Sequence, residues 1–309
     1  MSDKKIISLI VPCYNEESNV QPFYDEVVRV FSLIEDADFE LVFVDDGSKD
    51  NSYTIIEKLH EKDNRVKCIS FSRNFGKEAA LFAGIHAASG DCAVILDADL
   101  QHPPETIIEM YELWKQGFEV IEGVKNDRGK ESFIHRIFTG IFYNMISHAV
   151  GMDMENSSDF KLLDKKVLSE LVCLKERNTF FRALSFWCGF KKTTVYYKVN
   201  ERRYGNSKWS TKSLIKYAIN NVICFSYAPL NIVTGVGFVF IIIALLVVVD
   251  ALISFLRGNS ANGFPTIVFL LLLGMGGIMV SLGIIGVYIG QIYDEVKGRP
   301  RYIISRKIK

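Results

Sequence analysis

The residues with the clearest chemical purpose are Asp97 and Asp99, separated by Ala98 and standing directly after the apolar run 93–96. Two carboxylates at i and i+2 where a strand ends can both turn toward one hard cation. Mg²⁺ or Mn²⁺ suits them, because such an ion takes a few protein oxygens and keeps its other positions for substrate phosphate. Held there, it would stabilise a departing diphosphate. A bare Asp-x-Asp is common by chance and serves equally well as local structure; its position after a buried-type strand gives it weight.

Asp45-Asp46-Gly47-Ser48 follows a second apolar run, 39–44. There Asp46 can accept a hydrogen bond from a base or ribose, and Gly47 permits a tight turn. Ser48 fits an Asx-type turn or a helix cap equally well. In a third segment, 10–17, a strand leaves through Pro12 into polar residues, and Tyr14 offers a stacking face.

The elements that must position these residues are legible in the spacing of apolar side chains. Runs 6–11, 39–44, 66–70 and 93–96 are strand-like, and amphipathic stretches such as 19–34 and 52–62 separate them. That alternation predicts a mostly parallel α/β sheet. Ligands of such sheets bind beyond the carboxyl ends of the strands, which predicts a site built from 12–16, 45–48, 72–77 and 97–101.

The chain has 309 residues, with 36 basic and 36 acidic side chains, so no global charge draws it to nucleic acid. Its positive mean hydropathy arises almost entirely after Tyr227. The six cysteines form no CxxC pair and no metal spacing, as expected of inert buried thiols in a reducing compartment. The first five residues are polar and the run 6–11 is only strand-length, so no signal peptide is expected and the N-terminal domain is predicted to stay cytoplasmic.

Between 208 and 225, Lys208, Lys212 and Lys216 share one helical face while Leu214, Ile215, Ala218, Ile219, Val222 and Ile223 fill another. This predicts a helix in the membrane interface, with an ordinary surface helix as the plainer alternative. Segments 232–256 and 266–292 each exceed the ~20 residues needed to span a bilayer. Their link, 257–265, carries only Arg257, whereas 198–216 carries six basic residues against Glu201 and 294–309 carries six against Asp294 and Glu295. The positive-inside rule then puts both termini in the cytoplasm of a multi-pass cell-membrane protein. Gly276, Gly283 and Gly290 recur every seven residues, and Gly286 with Gly290 forms a GxxxG. That face can pack on the first span or on another copy, as a dimer or tetramer. Asp250, the only acid in the spans, lies near the non-cytoplasmic end and is expected to be hydrated and structural. The domains are thus 1–207, an interfacial helix 208–227, two spans in 228–293 and a basic tail 294–309.

The segments VPCYNEE (11–17), VDDGSKDNS (44–52), RNFGKEAA (73–80), DADLQHPPE (97–105), SDFKLLDKKV (158–167) and RRYGNSK (202–208), in this order, resemble the family-2 glycosyltransferases of GT-A fold. The resemblance is greatest to the polyprenyl-phosphate branch, which includes dolichol-phosphate mannose synthase and the bactoprenol glucosyltransferases. It implies a nucleotide-sugar donor and a polyprenyl-phosphate acceptor, with Pro12, Tyr14, Glu16 and Asp46 holding the nucleoside and Lys77 and Ala98 beside the donor. It further implies that Asp97, Asp99 and Gln101 organise metal and diphosphate, and that Arg202, Ser207 and Lys208 take the lipid phosphate, with Arg203 next to them. Arg128 and Arg136 are further acceptor-phosphate candidates, although a loop with Lys125, Arg128 and Lys130 is also an ordinary solvated surface. Asp159, with Asp99 one of the two catalytic carboxylates, matches the residue usually taken as base. A phosphate acceptor, whose second pKa is about 6, is already largely ionised at neutral pH, so an orienting role suits Asp159 as well.

The expected reaction is an inverting transfer from a UDP-linked glucose or N-acetylglucosamine to undecaprenyl phosphate. A processive polysaccharide synthase is disfavoured because the chain has no QxxRW and few spans. A non-catalytic scaffold or lipid-linked-sugar flippase leaves the Asp97/Asp99 pair without purpose.

Overall fold

The computed structural model describes residues 4–126, 147, 157–176, 180–200, 228–257 and 263–309. The chain divides into two compact units, residues 1–215 with 300–309, and residues 216–299.

The first unit is built on strands β1 (Lys5–Cys13), β2 (Ala37–Asp45), β3 (Val66–Phe71), β4 (Cys92–Ile95), β5 (Val120–Lys125), β6 (Lys161–Asp164), β7 (Lys192–Tyr197) and β8 (Ile304–Ile308). Helices α1 (Val20–Phe31), α2 (Ser52–Lys62), α3 (Lys77–Ala87), α4 (Thr106–Lys115), α5 (Lys165–Cys173) and α6 (Phe181–Trp187) accompany them. The first four strands begin and end within two residues of the apolar runs that predict them. Their centres are covered on both faces, which is why Leu9, Ile10, Leu41, Val42 and Val94 form continuous apolar stretches and are fully buried. Each such side chain contributes about 1.5–3 kcal/mol. Helix α1 buries Val20, Phe23, Val27, Val30 and Phe31, one stripe of its surface.

The strand order is β7-β5-β6-β4-β1-β2-β3-β8. Strands β3, β2, β1 and β4 are mutually parallel, so the order reverses between β1 and β4, where a doubly wound sheet opens its ligand crevice. The sheet is more mixed than a run of βα units predicts. Strand β6 runs antiparallel to both β4 and β5, and β8 antiparallel to β3. Two consequences reach the site. Because Ile95 pairs with Lys161 in opposite sense, the residues before β6 lie beside those after β4. And residues 304–308, part of a basic tail by sequence, form the outer strand next to β3.

Cys13, Cys68 and Cys92 are free and buried, and burial pushes all three thiols up. They are poor nucleophiles.

The second unit contains α7 (Ala228–Leu256) and α8 (Phe264–Val296). Within them Val233–Ser254 and Ile267–Val296 are long and apolar enough to cross a membrane. Pro265 opens α8, where a missing N–H costs nothing. The close approach between the two helices is at Gly277, where an added Cβ would lie 3.0 Å from the Phe240 ring. Among the described residues, a Cβ added at Gly276, Gly283, Gly286 or Gly290 would meet nothing within 4 Å beyond the helix itself.

Candidate active site

The loops after β1, β2, β3 and β4 meet at one end of the sheet, as their parallel register requires. Cys13 pairs with Asp45, which puts Tyr14 beside Asp46, and Asp46 N–H donates to the Cys13 carbonyl at 2.9 Å. The β1–α1 loop is tied down by side chains of the β2–α2 loop and the start of α2: Asn15 N–H donates to Ser48 Oγ and Glu16 N–H to Ser52 Oγ, both at 2.8 Å. Ser48 therefore links two loops and does not cap a helix. Asn15 sits in the left-handed region at φ 53°, a conformation asparagine tolerates. Pro12, Tyr14 and Glu16 are all partly exposed along this wall.

Asp46 is nearly buried, and its two oxygens accept from the backbone of the β3–α3 loop, Phe75 N–H at 2.6 Å and Gly76 N–H at 2.9 Å. Burial raises its pKa, against the lowering effect of those amides. Gly47, at φ +68°, brings the β2–α2 loop so close to Arg73 that an added Cβ would stand 2.5 Å from the Arg73 carbonyl carbon. Asp46 and Gly47 together fix the opposite wall of the crevice.

At the end of β4 the charges converge. Lys77, the first residue of α3, places Nζ 2.6 Å from Asp97 and 3.0 Å from Asp159. Arg182, on the first turn of α6, donates Nε to Asp159 Oδ1 at 2.7 Å and Nη2 to Oδ2 at 3.1 Å. Burial works against the Asp159 carboxylate, but Arg182 and Lys77 outweigh it and hold its pKa well below the usual range. Burial likewise opposes the charge of Asp97, and Lys77 brings its pKa below normal. Lys77 is raised in turn: desolvation disfavours its ammonium, and the two carboxylates more than restore it. Glu78 brings α6 into position by accepting from Phe181 N–H at 2.9 Å.

Beneath this cluster lies a buried polar layer. Lys161 is fully buried and reaches Glu122 at 3.2 Å and Ser185 Oγ at 2.8 Å. Glu122 also accepts from Ser157 Oγ and Ser158 N–H, both at 2.9 Å, which holds the segment that carries Asp159. Ser185 Oγ donates to the Arg182 carbonyl at 2.9 Å. Burial pushes the Lys161 amine down to about 8 against the pull of Glu122. His102 stacks on Phe160 and is kept neutral by burial.

The structure thus brings Lys77, Asp97 and Asp159 into one cluster, with Ala98 and Asp99 on the turn that follows Asp97. Asp99 accepts from Gln101 N–H at 3.2 Å, and Leu100 between them is left-handed at φ 58°, a strained conformation for leucine that costs about 1–3 kcal/mol. Arg128, Arg136, Arg202, Ser207 and Lys208, and the helix expected at 208–227, lie outside the described residues. Among the described residues no three His, Cys, Asp or Glu side chains form a metal cage. Asp97 and Asp99 with the Gln101 amide suit Mg²⁺ or Mn²⁺ in its open mode, in which one or two carboxylates share the ion with substrate phosphates.

Arg182, Glu122 and Lys161 were not foreseen from the sequence. A single arginine inside the apolar stretch 180–187 was the available signal for the first. For the buried pair it was a glutamate and a lysine inside strand-like runs.

The family model described as glycosyl transferase family 2 matches residues 8–171. An uncharacterized glycosyltransferase, YkcC, of Bacillus subtilis (strain 168) is 38% identical over 307 residues, covering 97% of this chain and 93% of its own. A putative glycosyltransferase of the same bacterium, CsbB, is 37% identical over 303 residues, covering 97% and 91%. The SfII prophage-derived bactoprenol glucosyl transferase of Shigella flexneri is 37% identical over 306 residues, covering 97% of each chain.

Proposed function

The chain belongs to glycosyl transferase family 2, and from that premise we propose that it transfers a sugar from UDP-glucose or UDP-N-acetylglucosamine to undecaprenyl phosphate at the cytoplasmic face of the membrane. The observation that carries the reading is the cluster of Lys77, Asp97, Asp159 and Arg182 at the carboxyl end of β4, in a chain that also holds two membrane-length helices. A polyprenyl acceptor fits those helices and the bactoprenol named for the Shigella relative.

The reaction is an in-line displacement. An oxygen of the lipid phosphate attacks the anomeric carbon, the bond from that carbon to the diphosphate oxygen breaks, and the configuration inverts. Pro12, Tyr14, Glu16 and Asp46 line the nucleoside end of the crevice, with Ala98 beside the donor. Asp97, Asp99 and Gln101 would hold Mg²⁺ or Mn²⁺, which when bound would supply positive charge against the departing nucleoside diphosphate.

Asp159 is ill-suited to take a proton, because Arg182 and Lys77 engage both its oxygens and keep it ionised. The acceptor asks for little help, since a phosphate monoester with a second pKa of about 6 is already largely deprotonated. The better role for Asp159 is to hold two cations beside Asp97, preorganised toward the anionic groups of donor and acceptor. Arg128, Arg136, Arg202, Ser207 and Lys208 are the candidates for the lipid phosphate itself, and the basic flanks of the spans would sit at headgroup level.

The test is to incubate the detergent-purified protein with undecaprenyl phosphate, Mg²⁺ or Mn²⁺, and a panel of UDP- and GDP-sugars, following lipid-linked sugar by mass spectrometry. One product with a UDP-sugar, lost with EDTA and in Asp99→Ala, is the expected result. Folded protein that binds UDP yet glycosylates no lipid would refute the acceptor.

A further inference from the structure

The last residues of the chain lie against the wall that holds Asp46. Strand β8 pairs with β3 from Cys68↔Ile308 to Phe71↔Ile304, and Ser72 N–H donates to the Ile303 carbonyl at 3.0 Å. Just before β8, Tyr302 stacks on Phe71 with ring centroids 4.9 Å apart and planes 12° from parallel. Phe71 in turn meets Phe75 edge-on at 5.8 Å. Phe75 and Gly76 are the residues whose amides bind the Asp46 carboxylate. Arg301 adds a second hold, with its guanidinium 4.6 Å over the Phe82 ring on α3 and a hydrogen bond to the Leu174 carbonyl. Residues 301–308 thus touch β3, the core under the β3–α3 loop, and α3.

We propose that residues 301–308 are a positioning strap for the nucleotide pocket, and that Tyr302, acting through Phe71 and Phe75, sets donor affinity by holding the 72–76 loop against Asp46. The inference rests on the donor reading given under Proposed function. Its physical basis is twofold. Without β8, strand β3 would be an open edge whose unpaired N–H and C=O groups leave the following loop free to shift. Without the Tyr302 ring, Phe71 loses the stack that braces it against Phe75, and an offset or edge-on aromatic pair contributes beyond its buried area. The pocket wall is therefore completed by chain that follows the second membrane-length helix, which ends at Val296.

The test uses the full-length protein in detergent. Donor KM and kcat are measured at saturating lipid, and UDP binding by calorimetry, for wild type, Tyr302→Ala and Tyr302→Phe. Tyr302→Ala is expected to raise the donor KM and the UDP dissociation constant about three- to tenfold with kcat within about twofold, the size of one lost aromatic pair. Tyr302→Phe, which keeps the stack, should retain wild-type values. Should the alanine variant not fold, Tyr302→Leu, which keeps apolar bulk without the stack, carries the same expectation. A folded Tyr302→Ala or Tyr302→Leu with wild-type KM, or with a loss confined to kcat, overturns the strap and leaves the reaction standing. Wild-type protein that neither binds UDP nor turns over a donor refutes the donor reading and the strap with it.

Discussion

Arg182 grips Asp159 with two parallel hydrogen bonds, Nε to Oδ1 at 2.7 Å and Nη2 to Oδ2 at 3.1 Å, the fork geometry that only a guanidinium supplies. Removing it leaves Asp159 to Lys77 alone and frees the carboxylate to turn. Arg182→Ala is expected to lower kcat by about 10²-fold, typical of losing one preorganised electrostatic contact, with a smaller change in donor KM. Arg182→Lys should recover only part of this, because an ammonium cannot hold both oxygens in one plane. Steady-state formation of lipid-linked sugar measures both.

The Glu122–Lys161 pair is a buried ion pair, so breaking it costs more than replacing it. Lys161→Met strands the Glu122 carboxylate and should destabilise the domain by about 3–5 kcal/mol. Adding Glu122→Gln removes the stranded charge and should restore most of that loss. Thermal or denaturant unfolding of the two variants decides it.

The same lysine makes a pH prediction with a definite sign. Its folded-state pKa of about 8 lies below its ordinary 10.5, so between those values the unfolded chain holds a proton that the folded chain has released. Its contribution to stability therefore rises with pH across that window. In the Lys161→Met/Glu122→Gln variant this rise should be missing, and a pH series of unfolding midpoints from 7 to about 10.5 reads the difference.

Gly47→Ala meets two obstacles, a left-handed φ of +68° and a Cβ 2.5 Å from the Arg73 backbone. The strain is worth about 1–3 kcal/mol and can be relieved only by moving the 72–76 loop away from Asp46. Donor KM should rise in a variant that still folds, whereas a KM unchanged from wild type would show that this loop does not shape the nucleotide pocket.

Membrane topology has its own check. With both termini cytoplasmic, Ser260→Cys in the link between the spans should react with an impermeant maleimide added to intact cells. Ser305→Cys on β8 should react only after the cells are opened. Labelling of Ser305→Cys from outside would reverse the orientation.

The features legible from sequence were those whose physics is local. Continuous apolar runs of strand length marked β1 to β4, because a strand buried on both faces needs nothing else to declare itself. The Asp97-Ala98-Asp99 turn was legible because it directly follows such a run, and the two long apolar helices because hydrophobic length alone sets a membrane span. What remained hidden depends on pairing between distant residues. Nothing within 161–164 says that this strand inserts antiparallel between β4 and β5, yet that choice brings Asp159 to Asp97 and sets Lys161 opposite Glu122. The isolated arginine at 182 gains meaning only when Glu78 fixes the start of α6 and turns it toward Asp159. Residues 301–308 look like a charged tail because their alternation is short and their apolar members few. They become a strand only because β3 offers an unpaired edge, and Tyr302 finds Phe71 only once that edge is taken. The chain's own letters determined β1 to β4, the carboxylate turn and the apolar spans, since each is fixed by neighbours in sequence. Tertiary structure decided which charges face each other, since a buried charge is tolerated only where its partner from another element meets it.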